Sequence, residues 1–211
     1  MKKNNILIFG AGQLGKLILK IILKQNLYNV IGFVDKKSSL LGKKILGYKI
    51  YSEKYFKENF KPIKNYVVAV GDINLRKKII LKISGNRINF PLIIDPDSKI
   101  DSEVKIEEGT IVSSSSTILC NTKIGKHCII GTGVTILHDV TISENCIIGG
   151  GTTIGANNKF EKNILVGVGS VFASNKKVIG ANSVVCAGTV VLKSIKKNSK
   201  VIGNPSIYIP K

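Results

Sequence analysis

Lys123-Ile124-Gly125-Lys126-His127-Cys128-Ile129-Ile130-Gly131-Thr132-Gly133-Val134-Thr135-Ile136 decides the fold. A large aliphatic residue stands at Ile124, Ile130 and Ile136, with small and polar residues between them. Followed outward in both directions, the same register holds Ile94, Ile100, Ile106, Val112 and Ile118 on one side. On the other it holds Ile142, Ile148, Ile154, Phe160, Val166 and Phe172. With apolar residues at 44% of the chain, fourteen such positions in a row arise by chance roughly once in 10^5 trials. A helix repeats every 3.6 residues and a flat strand every 2, so neither explains a repeat of six. A parallel β-helix does: each short strand sends one bulky side chain into a three-sided prism and then turns. Small residues beside the inward aliphatic let the chain turn tightly at the prism corners.

After Phe172 the glycine punctuation moves by one. Ile179-Gly180 and Val185-Cys186-Ala187-Gly188 make Ile179, Val185 and Val191 the expected inward set, with an extra residue in Ala173-Ser174-Asn175-Lys176-Lys177. Val178, Val184 and Val190 keep the older register open. The coils are expected to end near Leu192, and Val201-Ile202-Gly203-Asn204-Pro205 to cross the outside of the prism.

The first half reads differently. Ile6–Phe9 is a short apolar run leading into Gly10-Ala11-Gly12-Gln13-Leu14-Gly15, followed by a helical pattern from Leu17 to Leu23. Strands are expected at Val30–Val34, Tyr66–Val70 and Ile88–Ile94, with a basic helix at Leu75–Ile83. This β-α-β…β-α-β order implies a parallel α/β sheet. The expected domains are 1–95 and 96–211, joined near Pro96.

Composition narrows the function. The 211 residues carry a net charge of +19, mostly lysine. A basic surface suits an anionic partner, although a lysine-rich genome gives the same excess. Lysines are spread through both halves with no arginine–aromatic platform, so nucleic acid is not an expected partner. No apolar run is long enough to span a membrane. The start is basic and apolar, as a signal peptide is, but glycines interrupt it and no small-residue cleavage site follows. The four cysteines (120, 128, 146 and 186) form no C-x-x-C pair, so no structural metal site is expected. Cys128 and Cys146 should stack one coil apart as buried thiols in a reducing cytoplasm.

Two constellations carry chemistry. Gly10-x-Gly12-x-x-Gly15, between a strand and a helix, offers backbone N–H groups and a helix N-terminus to a phosphate. Asp35, twenty residues past Gly15, stands where an acid holds a ribose hydroxyl. Taken alone the spacing points to NAD, but no second mononucleotide half follows, and a structural glycine turn remains the alternative. The second constellation is His138-Asp139, which interrupts the apolar run Val134–Leu137. Its ring is expected outward at a corner. An imidazole held by a carboxylate is a competent general base; an exposed turn is the other reading. His127, in a polar turn slot, reads as surface.

Together, Ile8-Phe9-Gly10-Ala11-Gly12, Phe33-Val34-Asp35, Val68-Ala69-Val70-Gly71-Asp72 with Arg76-Lys77-Lys78, the hexapeptides, His138-Asp139 and Gly203-Asn204-Pro205 resemble a bacterial family. It is that of the left-handed β-helix sugar acetyltransferases with a Rossmann-like N-terminal domain, which includes bacillosamine-precursor N-acetyltransferases and sialic-acid O-acetyltransferases. The resemblance covers essentially the whole chain. It implies an α/β Rossmann-like domain followed by a left-handed parallel β-helix, acetyl-CoA as co-substrate, no metal, a homotrimer and a cytoplasmic enzyme. It implies His138 as general base and Asp139 as its orienting acid. Gly10, Ala11, Gly12, Gln13, Asp35, Gly71 and Asp72 would surround the nucleotide sugar. Ala156, Gly167, Val168, Ala187 and Gly188 would line the CoA groove.

The chain departs from the family pattern at Ile147, where a second histidine is common, at Gly131, where asparagine is, and at Gln13-Leu14, where Gly-His is. These departures leave the oxyanion partner to a backbone N–H. The expected activity is N-acetylation of an amino-deoxy sugar on a nucleoside diphosphate, for surface glycans. O-acetylation of a nonulosonic acid is the alternative, and a non-catalytic scaffold the third reading.

Overall fold

A computed structural model describes residues 3–59, 63–85 and 88–209. The chain divides into two compact units, Met1–Pro96 and Asp97–Lys211.

In the first unit, β1 (Asn4–Phe9) runs into α1 (Gln13–Gln25) and β2 (Tyr28–Val34). A hairpin of β3 (Lys44–Ile45) and β4 (Tyr48–Tyr51) follows, then α2 (Glu53–Asn59), β5 (Asn65–Val68) and α3 (Ile73–Ile83). The sheet order is β3-β4-β2-β1-β5, parallel except for β3. The helix α1 buries Gly15, Ile18, Leu19 and Ile22, the i, i+3, i+4, i+7 stripe of an amphipathic helix. It stops at Asn26, whose left-handed backbone (φ 57°) returns its N–H to the Ile22 carbonyl. On the other side of the sheet, Phe9, Phe56 and Tyr66 pack edge to face, with centroids 5.5 to 5.9 Å apart.

The hairpin and α2 were not legible as elements. The expected strand at Ile88–Ile94 is reduced to a bridge at Asn89 and the pair Ile93–Ile94, because Pro91 between them has no N–H to give a ladder. Residues 86–87 lie outside the described residues.

The second unit is a three-sided parallel β-helix. Its strands are two residues long and stack eighteen residues apart, as in Thr117↔Thr135↔Thr153 and Lys123↔Thr141↔Lys159. The inward positions from Val112 to Phe172 are each 0 or 1% exposed. Burying one such side chain is worth about 1.5–3 kcal/mol, so the stack carries its own core. Ile94, Ile100 and Ile106 are half-buried. The rings of Phe160 and Phe172 meet at 4.9 Å.

A second row of inward-facing residues holds the corners. Thr110, Ser116 and Thr122 each donate to a carbonyl fifteen residues on, at 2.8 to 3.0 Å. Cys128 and Cys146 occupy the same slot, with Sγ 3.1 Å from the Ser143 and Glu161 carbonyls. Both thiols are fully buried, and the hydrogen bond with Cys128, followed by burial, pushes the Cys146 thiol well above its usual range.

The stack changes pitch after Phe172. Phe160 pairs with Ile179, nineteen residues on, because Ser174–Lys176 widen one corner. Ile179, Val185 and Val191 point inward at 0 or 1% exposure, while Val178 is 40% exposed. The tail corrects the expectation. The coils run past Leu192, for Ile195 bridges Ile179 and Lys200–Ile202 pairs in parallel with Val184–Val185. Val201 is thus a core residue and does not cross the outside. Ile207–Ile209 then turns back antiparallel.

Candidate active site

From Gly109 to Gly188 the second residue of each turn has φ between +54° and +88°, a backbone open to Gly, Asn and Asp at least cost. One corner uses Ser115, Gly133, Gly151, Gly169 and Gly188; a Cβ at any of the four glycines would meet nothing within 4 Å. A second uses Gly109, His127, Asn145, Asn163, Asn182 and Asn198. Its amides form a ladder, Asn145 to Asn163 to Asn182 to Asn198, at 2.9 to 3.0 Å per step. The third uses Asn121, Asp139, Asn157 and Asn175.

His138-Asp139 sits in the third corner, between Thr135–Ile136 and Thr141–Ile142. The corner brings these sequence neighbours to one side. His138 Nδ1 lies 2.7 Å from Asp139 Oδ2, with the two side chains 50% and 43% exposed. An ionised carboxylate there holds the proton on Nδ1 and leaves Nε2 with a lone pair, the state a general base needs. The left-handed slot also gives Asp139 a purely structural reason to be short and polar.

The structure divides the expected CoA residues. Ala156 stacks one coil from His138: the Asn157 N–H donates to the His138 carbonyl at 3.2 Å. Gly167, Val168, Ala187 and Gly188 lie on the glycine corner, where the Gly188 N–H donates to the Val168 carbonyl at 2.9 Å and Val168 is 61% exposed. The two corners bound the same prism face, that of Thr135–Ile136 and Thr153–Ile154. Ile147 belongs to a different face and is half-buried. His127 is half-buried in the asparagine corner, its Nδ1 2.2 Å from where a Cβ on Gly109 would stand, so only glycine fits beside it.

In the first unit, Gly10-Ala11-Gly12, Asp35 and Gly71-Asp72 follow the ends of β1, β2 and β5. Strand order reverses at β1, which makes this the crevice where α/β sheets bind ligands. Gly15 is buried against the loop, for a Cβ there would stand 2.1 Å from the Gly10 carbonyl oxygen. Gly12 caps α1 with no side chain, and Gln13 opens the helix. Asp35 binds the loop itself: Oδ2 accepts from the Ala11 N–H at 2.8 Å and Oδ1 from the Lys37 N–H at 2.9 Å. Asp72 caps α3, accepting from the Leu75 N–H at 2.7 Å.

A cavity of about 360 Å³ opens beside them, lined by Gly10 and Asp35 among the expected residues. Phe9, Val34, Lys36, Glu53, Val70, Leu75, Lys78, Ile79 and Lys82 complete its wall, and Lys82 pairs with Glu53. Leu75, Lys78, Ile79 and Lys82 follow the i, i+3, i+4, i+7 spacing, a signal in the sequence that went unused. Glu53 had none, since α2 itself was not foreseen. Three lysines at the rim suit a diphosphate. Among the described residues no three His, Cys, Asp or Glu converge as a metal site, and no helix is long and apolar enough to cross a membrane.

Residues 5–83 match the model of the PglD N-terminal domain, and residues 121–156 that of the bacterial transferase hexapeptide (six repeats). No curated protein matches the chain in sequence. Among solved structures, a histidine-to-asparagine variant of perosamine N-acetyltransferase from Caulobacter crescentus, in complex with CoA and GDP-perosamine, superposes with a TM-score of 0.91. The two are 22% identical over 99% of this chain and 98% of that one. The acetyltransferase domain of PglB from Neisseria gonorrhoeae, in complex with acetyl coenzyme A, gives 0.91 at 21% identity over 99% and 100%. WeeI from Acinetobacter baumannii gives 0.91 at 23% over 98% and 100%. With a PglD N-terminal domain ahead of a left-handed hexapeptide β-helix, the chain has the two-domain fold of the PglD-like sugar acetyltransferases.

Proposed function

We propose that the protein is an acetyl-CoA-dependent N-acetyltransferase. It acts on the amino group of a nucleotide-linked amino-deoxy sugar, a UDP or TDP 4-amino-4,6-dideoxy sugar, for surface glycans. The observation that carries this is the 2.7 Å contact between His138 Nδ1 and Asp139 on an exposed corner. The neighbours of the same fold that bind CoA with GDP-perosamine, or acetyl coenzyme A, support it.

Residues 1–95 hold the nucleotide sugar, and residues 96–211 carry the acyl transfer together with the tail. The lysine-rimmed crevice takes the diphosphate. His138 removes a proton from the amine as its nitrogen attacks the thioester carbon, and Asp139 stabilises the imidazolium. When the C–S bond breaks, CoA leaves as a thiolate and takes up that proton from the imidazolium. Gly167, Val168, Ala187 and Gly188 offer bare backbone to CoA, and Ala156 lies beside the thioester.

The working form is a homotrimer. The outward residues Ile147, Leu165 and Val184 make an aliphatic column on one prism face, a surface suited to a second copy. Four free cysteines fit a reducing cytoplasm, where acetyl-CoA and nucleotide sugars meet.

Thiol release from acetyl-CoA, measured against UDP-, TDP-, GDP- and CMP-linked amino sugars, tests the reading. A UDP or TDP amino sugar is expected to turn over, and His138→Ala to lower kcat by about 10²–10⁴-fold with CoA binding kept. Full activity of that variant, or no turnover with any amino sugar, refutes it.

A further inference from the structure

The corner above His138 is closed in an unusual way. Ala156, the next residue up the column, is 6% exposed, and its N–H donates to Ser174 Oγ at 3.1 Å. That amide is therefore not open to a ligand. Ser174 itself is half-buried, and its hydroxyl hydrogen has no acceptor among the described residues.

The widened corner is braced to keep it there. Lys177, 8% exposed, donates its ammonium to the Ser174 carbonyl and its N–H to Asn158 Oδ1 at 3.0 Å. Asn158 Nδ2 holds the Gly155 and Ala173 carbonyls at 2.9 and 3.0 Å. Gly155 has no side chain where a Cβ would stand 2.7 Å from Ser174 Oγ. Elsewhere this inner slot holds Thr, Ser, Cys, Val or Ile; here an asparagine and a lysine fill it, and both serve the position of one hydroxyl.

We propose that Ser174 is a catalytic residue whose hydroxyl, polarised by the Ala156 N–H, donates to the carbonyl oxygen of the thioester. This rests on acyl transfer at His138. Two rungs of about 4.8 Å separate the backbones of His138 and Ser174. Two hydrogen bonds of about 2.9 Å and the bonded atoms between them span that gap. As the amine attacks, the C=O electron pair moves onto oxygen, and the Ser174 O–H stabilises the resulting charge. When the C–S bond breaks, the pair returns and the hydroxyl keeps its proton. A hydroxyl that already accepts one hydrogen bond is the stronger donor.

The experiment measures kcat and KM for acetyl-CoA and for the amino-sugar acceptor in wild type, Ser174→Ala, Ser174→Thr and His138→Ala, with melting temperatures. Ser174→Ala is expected to lower kcat by about 10²-fold with both KM values within about 3-fold. Ser174→Thr, which keeps the hydroxyl, should recover most of the rate. Should Ser174→Ala melt early, Ser174→Cys, a weak donor of similar bulk, should show the same kcat loss at an unchanged melting temperature. An unchanged or raised kcat in the alanine variant means that the freed Ala156 amide does the work, and overturns the proposal. So does a rise in the KM for acetyl-CoA alone, which marks a binding contact. Full activity of His138→Ala would instead sink the reading of the site beneath it.

Discussion

Asp139→Gly separates chemistry from architecture at the candidate site. Asp139 holds its backbone at φ 59°, and the glycine corner shows that Gly takes the equivalent slot in four coils. The substitution therefore removes the carboxylate and leaves the turn unstrained. The change in stability should stay within about 1 kcal/mol, or about 2–4 °C in a chain of this size.

The loss in rate is worked from the contact. A unit-charge pair at 4 Å is worth about 1 kcal/mol in water and about 4 kcal/mol in a surface-like dielectric. With the side chains 50% and 43% exposed, the screened end applies. The charge-assisted hydrogen bond adds about 1 kcal/mol over a neutral one. A total of about 1–2 kcal/mol in the transition state corresponds to a kcat lowered about 5–30-fold, well short of the loss of the imidazole. The assay is thiol release at saturating acetyl-CoA and acceptor, beside a thermal melt. A variant with full kcat would make Asp139 only a turn residue, like Asn121 and Asn157 in its column. A melt lowered by much more than about 4 °C would refute the account of the corner.

Two further outcomes follow from the stack. Asn163→Ala loses two ladder bonds and forces alanine into a left-handed slot, so it should cost about 2–4 kcal/mol in urea unfolding; Asn163→Gly should restore about 1 kcal/mol of that. Alkylation of the native protein should modify Cys120 and Cys186 and spare the buried Cys128 and Cys146. The raised Cys146 thiol also sets a pH trend. The unfolded chain releases this proton near pH ~8.5 while the folded chain keeps it, so stability falls as pH rises above that point. Cys146→Val, with the residue found in the same slot at Val134 and Val140, should flatten the trend measured between pH 7.5 and 10.

The β-helix was readable because its inward residues repeat on a fixed period and nothing else in folding physics does so. Even the extra residue before Ile179 showed as a shift in glycine spacing. The tail was misread because Ile195 and Val201 stack at a shortened pitch that no longer keeps the six-residue beat. In the first unit the glycine loop announced itself. The hairpin Lys44–Tyr51 did not, since Gly47 lies among lysines with little alternation. At the candidate site, His138 and Asp139 were visible as a polar break in an apolar run. Ser174 was not, because its relation to Ala156 exists only after eighteen residues of winding. Asp35 and Asp72 were legible as acids near a loop, yet their carboxylates hold backbone N–H groups, a local use that residue type alone does not reveal.

A stack in which each coil touches only its neighbours loses structure from its ends inward, as a pile of coins sheds its outermost members first. His138 lies midway along the pile, with the coils of Lys99 and Thr117 before it and those of Thr153, Val171 and Val190 after it. Heat or denaturant should therefore fray the outer turns while the imidazole keeps its setting. Amide exchange should be slowest in the layers that surround it, so that activity outlasts the first loss of ordered backbone.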